Sequence, residues 1–146
     1  MNKFLRFFTT VSIIIFLVAL LLVYAFLPDP LGLLFNEDGL AIREMSKNTF
    51  FYSTLFLFVI SQIILILFKN GSLIKMKLKR EYLNTWFQGF HLSINLFVIL
   101  MLIFIGLANN AVDYSFSSIQ FINYLAPLVV LVWLVILPVL LIHKKS

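Results

Sequence analysis

Four residues along the third helix expected from the sequence have the types and spacing to do chemistry inside a membrane. Asn84, Gln88, His91 and Asn95 recur at intervals of four, three and four, which lines them along one stripe of a helix. In hydrocarbon such a stripe must face protein, because an unsatisfied polar group there costs several kcal/mol. His91 is the one side chain within the apolar runs that could exchange a proton near neutral pH, so a proton relay or a ligand contact is open to it. A relay, however, needs acidic partners at depth, and no run contains Asp or Glu. The stripe therefore reads first as a polar core between helices, where each hydrogen bond contributes about 0.6–2 kcal/mol.

Other chemistry is poorly supplied. The chain has no cysteine, which removes disulfides, thiolate metal sites, cysteine nucleophiles and a lipidated cysteine. Its two histidines, His91 and His143, lie far apart in sequence, and Glu37-Asp38 lacks the alternating spacing of a calcium loop. No Gly-x-Ser-x-Gly, HExxH or glycine-rich phosphate loop occurs. The expectation is a protein that is not an enzyme, with no catalytic residue, metal site or cofactor.

The elements that must position the stripe are four apolar runs, Phe7–Leu27, Thr49–Phe68, Phe87–Ala108 and Ile122–Ile142, none containing Asp, Glu, Lys or Arg. A bilayer core needs about 20 helical residues to cross, and each run has that length. Hydrophobic residues make up 62% of the 146 and charged residues 12%, leaving little for a second, water-soluble core. The fold class expected is all-α: one polytopic membrane domain over residues 1–146 with four transmembrane helices. Its connections are 28–48, 69–86 and 109–121.

Charge sets the topology. Nine of the 11 Lys and Arg residues fall at the N-terminus, in the 69–86 connection and in the tail, whereas Asp29, Glu37, Asp38, Glu44 and Asp113 lie in the other two connections. The positive-inside rule places both termini and the 69–86 connection in the cytoplasm. The net charge of +5 is then a topogenic signal and no argument for nucleic acid. Lys75, Lys77, Lys79 and Arg80, interleaved with apolar residues, suit the surface of a membrane containing anionic lipids. Lys3 and Arg6 before an apolar run resemble a signal peptide, but the run is longer than the roughly 7–15 residues of a secretory segment, so an uncleaved anchor is expected.

Two further features are local. Pro127 and Pro138 predict a kinked fourth helix. In the first connection, Pro28 and Pro30 end the first helix, Asn36-Glu37-Asp38-Gly39 forms a turn, and Ser46 caps the second helix near Lys47.

Read as a pattern, Leu27-Pro28…Leu34-Phe35-Asn36…Gly39…Ser46-Lys47 resembles the outer-loop signature of a bacterial four-helix membrane family of largely unknown function. That family shows an LP pair, a His-aromatic-Asn, a Gly and an SK pair, and includes an immunity protein against a toxin of sporulating bacilli that doubles as a signalling receptor. The spacings agree, but Leu34 stands where the family has histidine, Ile42 where an acidic residue is common and Gly32 where proline is frequent. The resemblance implies a bacterial cytoplasmic-membrane protein of binding or sensing type, immunity-like or accessory. It would recognise a peptide, lipid or partner through Pro28, Phe35, Asn36, Gly39 and Lys47. The same residues also suit a folded cap with no ligand. The alternative function is a structural or assembly subunit, with a membrane-protein partner or a second copy of the chain against the helices.

Overall fold

The computed structural model describes residues 2–75, 80–110 and 115–142, with side chains described over 3–71, 83–110 and 115–136. The element order is α1 (Asn2–Phe26), β1 (Leu31–Phe35), β2 (Ala41–Met45), α2 (Lys47–Lys75), α3 (Arg80–Asn109), α4 (Phe116–Ile119) and α5 (Phe121–Ile142). Four of the helices are long and apolar enough to cross a membrane. Each continues an apolar run, because a helix satisfies all its backbone groups internally where no water is available.

The helices outrun the apolar stretches. α1 begins at Asn2, α2 continues to Lys75 and α3 already starts at Arg80, so most of the expected 69–86 connection is helical. Hydropathy ends where charge begins, but Lys, Arg and Glu are good helix formers and do not stop a helix. α5 runs as one helix through Pro127, although that residue has no N–H for the carbonyl of Asn123. The side chains of Lys75, Lys77, Lys79 and Arg80, and His143, lie outside the described residues.

α3 is the central helix: α1 packs along one side and α5 along another, while α2 meets the bundle more loosely. Phe16 of α1 stacks on Phe58 of α2 with ring centroids 3.6 Å apart, and both rings are buried. Leu20, Ile99, Leu102 and Ile105 extend this core toward the hairpin. A second cluster, Leu83, Trp86 and Phe87 with Trp133 and Ile136, joins α3 to α5 at the opposite end. Leu17, Leu21, Phe56, Leu67, Leu131 and Val135 point outward and are exposed, as helices require when their outer solvent is lipid.

The approach of α5 to α3 depends on a missing side chain. Gly89 is buried, and a Cβ there would collide with the Trp133 indole. On the same face Trp86 donates its indole N–H to the Trp133 carbonyl at 2.7 Å. We expect Gly89→Val to force the helices apart and to destabilise the protein by about 1–3 kcal/mol, the usual range for overpacking. Thermal unfolding in mild detergent measures it, and because the chain has only two tryptophans, intrinsic fluorescence reports the displacement directly.

Candidate functional site

The connection between α1 and α2 folds as a two-stranded antiparallel hairpin. Leu31 pairs with Met45, Gly32 with Glu44, Leu34 with Arg43 and Phe35 with Ala41. The register slips by one residue at Leu33 and slips back at Ile42, so each strand carries one bulge. The inner face belongs to the core: Leu31 and Leu27 are buried, and Leu33, Phe35 and Met45 pack against the same cluster. The outer face carries Leu34, Leu40 and Ile42, which are 56%, 66% and 69% exposed, beside exposed Arg43 and Glu44.

The turn explains two of the expected site residues. Asn36 Oδ1 accepts from the backbone N–H of Asp38 at 3.1 Å and of Leu40 at 2.7 Å. Its own backbone N–H bonds the Leu40 carbonyl at 3.0 Å. Gly39 has φ of +81°, a region open to glycine, and a Cβ there would lie 2.8 Å from Phe116 Cβ. Phe35 meets Phe104 edge-on and Phe116 at a tilt, with centroids 6.1 and 5.6 Å away, so its ring ties the hairpin to α3 and α4.

Lys47 and Pro28 occupy the base. Ser46 Oγ accepts from the Thr49 N–H at 3.3 Å and caps α2. Asp29 Oδ1 accepts from the Lys47 N–H at 3.1 Å, placing a negative charge at the positive end of the same helix. The Lys47 ammonium sits 4.8 Å from the centroid of the Tyr24 ring, whose hydroxyl donates to Asn48 at 2.7 Å. Pro28 is exposed just beyond α1. Phe35, Asn36, Gly39 and Lys47 thus hold the hairpin's shape, while Leu34, Glu37, Asp38, Leu40, Ile42, Arg43 and Glu44 present exposed side chains.

The firmest attachment is a residue that the sequence did not single out. Asn109, in the last turn of α3, accepts from the Gly32 N–H at 2.6 Å through Oδ1 and donates to the Gly32 carbonyl at 2.9 Å through Nδ2. Its amide thereby pairs with both backbone groups of one β1 residue, much as a neighbouring strand would. Gly32 leaves room for this hairpin geometry, since a Cβ would meet Ala41 Cβ and the Phe35 ring at 2.9 Å.

The intramembrane stripe builds a second polar cluster. His91 Nε2–H donates to Gln62 Oε1. Gln62 Nε2 donates to Asn95 Oδ1 at 2.9 Å, Asn95 Nδ2 to Ser12 Oγ at 2.8 Å, and Ser12 Oγ to the Thr9 carbonyl at 2.7 Å. Every donor in this chain points the same way, which fixes both amide orientations and puts the His91 hydrogen on Nε2. Asn95 is fully buried and Ser12 is 2% exposed, so the cluster lies where α1, α2 and α3 meet. Gln88 is turned from it: its Nε2 reaches Asn84 Oδ1 at 3.5 Å, and its buried Oε1 has no partner among the described residues. Of the four stripe residues, His91 and Asn95 join the cluster, and Asn84 and Gln88 pair loosely below it. Ser12 and Gln62 complete it; Gln62, the lone amide in the second apolar run, was the available signal. No group of three His, Asp or Glu side chains comes together among the described residues.

Two measurements follow from these contacts. Asn109→Ala strands the N–H and carbonyl of Gly32, costing about 1–3 kcal/mol for each group left unsatisfied, and hydrogen exchange over residues 31–45 accelerates. In a double-mutant cycle, Gln62→Ala and Asn95→Ala give a coupling energy of about 0.6–1.7 kcal/mol, read from unfolding in mixed micelles.

Comparison with family models, with curated proteins and with solved structures finds no match to this chain.

Proposed function

We propose that the chain is a recognition protein of the bacterial cytoplasmic membrane, immunity-like or accessory, which engages a peptide, lipid or partner through its hairpin. Both termini lie on the cytoplasmic side in this reading, and the hairpin faces outward. The observation that carries the reading is the division of the hairpin into two faces. Its inner face is committed to the bundle, through Leu31, Phe35 and the Asn109 pairing, whereas Leu34, Leu40 and Ile42 stand exposed beyond the ends of the spans. A hairpin held this firmly loses little freedom on binding, and three clustered apolar side chains with a flanking Arg43 and Glu44 provide area and orientation. Leu34 replaces the histidine of the resembling family's signature, which makes the recognition apolar at that position.

Pro28, Phe35, Asn36, Gly39 and Lys47 then act by shaping this surface. The triple variant Leu34→Ser, Leu40→Ser, Ile42→Ser tests the reading in a strain whose own copy is deleted and that is exposed to secreted peptides of its neighbours. Wild type restores resistance; the triple variant, with unchanged thermal stability, loses it at least about tenfold, as removal of a few buried anchors does. If resistance is unaffected by the variant, and other membrane proteins co-purify with both forms, the chain is an assembly subunit instead.

A further inference from the structure

At the end of the bundle opposite the hairpin, α1, α2 and α3 part to leave a cleft of about 340 Å³. That volume falls within the roughly 300–1,000 Å³ of small-molecule sites. Arg6 and Thr10 of α1 and Lys69 and Asn70 of α2 line it, with Gln88 and His91 of α3. Arg6 and Lys69 thus bring a guanidinium and an ammonium from two different helices to one cleft. Among the described residues no carboxylate forms an ion pair with either, and the described acids Asp29, Glu37, Asp38 and Glu44 all belong to the hairpin region. Gln88, a lining residue only 6% exposed, has a buried Oε1 with no hydrogen-bond donor among the described residues.

We propose that this cleft binds the headgroup of an anionic phospholipid, with the phosphate between Arg6 and Lys69 and a headgroup hydroxyl donating to Gln88 Oε1. Two cations on one cleft, with no carboxylate paired to them among the described residues, supply what a phosphate needs. The orphaned acceptor in the wall supplies the second point of recognition. A free phosphate shares part of this chemistry, but the position favours a lipid. Arg6 and Lys69 lie within a few residues of the ends of their spans, the depth at which headgroups sit. Ile13, Leu65 and Ile66 continue the wall above them as an apolar surface on which acyl chains can lie. The site is separate from the hairpin, and neither its success nor its failure bears on recognition there.

The looseness of α2 gives the lipid a structural consequence. α2 meets α1 and α3 through the Phe16–Phe58 stack, the Gln62 hydrogen bonds and, beside the cleft, an edge-on contact of Phe68 with Phe87, and the cleft opens between these helices on the side of Arg6 and Lys69. A bound headgroup joins Arg6 of α1 to Lys69 of α2 and closes that end of the bundle.

The test uses the full chain in detergent, supplemented with phosphatidylglycerol, phosphatidylcholine or inorganic phosphate. Native mass spectrometry reads bound lipid and thermal unfolding reads stability. Phosphatidylglycerol stays bound to wild type and raises Tm, and phosphatidylcholine does neither. Arg6→Gln with Lys69→Gln weakens retention about thirtyfold, the product of two interfacial cations. The charge-preserving pair Arg6→Lys with Lys69→Arg retains the lipid, which separates lost binding from lost folding. Lys3→Gln removes a cation at the same end but outside the cleft and leaves retention unchanged. Equal retention by the Gln pair overturns the proposal, as does an equal loss on Lys3→Gln, which would mean diffuse attraction. Stabilisation by inorganic phosphate matching that by phosphatidylglycerol also overturns it, in favour of a soluble anion.

Discussion

A polar group inside hydrocarbon has no water to turn to, and the arrangement of this chain follows from that constraint. The apolar runs carry few strongly polar side chains, and Gln62, Gln88, His91 and Asn95 are among those that must find partners. Three of the four do so on one another, and Ser12 closes the chain onto a backbone carbonyl. The residues come from three helices, so satisfying them fixes which helices meet and at what height. α3 supplies two of these groups and is the helix against which α1 and α5 lie. Apolar packing alone would specify this less well, since lipid tails compete for Leu and Phe surfaces on nearly equal terms.

The same requirement shapes the hairpin in a different setting. A two-stranded ribbon is marginal by itself, and its strands offer backbone groups that need covering. Here the bundle provides the third partner, in the form of the Asn109 amide, and the buried Leu31 and the Phe35–Phe104–Phe116 contacts seat the ribbon on the helix ends. Bulges at Leu33 and Ile42 bend it, and the bent ribbon keeps Leu31, Leu33 and Phe35 against the core while Leu34 and Ile42 stand clear.

Much of this was legible in residue order, for identifiable reasons. Length and hydropathy sufficed for four spanning helices because the bilayer imposes a fixed thickness. The turn at Asn36–Gly39 and the cap at Ser46 were legible because each is local: an Asn bonding its own backbone, a glycine at positive φ, a hydroxyl three residues before an N–H. The stripe on α3 was visible as a spacing, but its division was not. Whether His91 turns toward Gln62 while Gln88 turns away depends on where α2 lies, and no periodicity within α3 contains that. The strands escaped notice because Leu31–Phe35 reads as an unbroken apolar run without alternation, and the bulges blur the period of two on which strand recognition rests. Asn109 was hidden for a similar reason. An Asn at the end of an apolar run looks like the edge of a span, and only the path of β1 makes it a clamp.

The two ends of the molecule are accordingly unlike in how much their structure leaves free. At the hairpin end the turn and the β1 backbone have internal partners, and Leu34, Leu40 and Ile42 stand exposed, beside charged side chains, on a ribbon fixed in place. At the other end, α2 is held by the Phe16–Phe58 and Phe68–Phe87 contacts and the Gln62 amide, and beside these lie two cations and a buried acceptor with no partner among the described residues. A rigid apolar surface suits selection among large partners by shape, because little order remains to be lost. A loose, charged cleft suits a small ligand that supplies the missing contacts and gains affinity from completing the packing. The central hydrogen-bonded cluster lies between the two and is shared by α1, α2 and α3. Movement of α2 on filling the cleft must therefore act first on Gln62, whose two bonds to α3 are the nearest polar link between that cleft and the rest of the bundle.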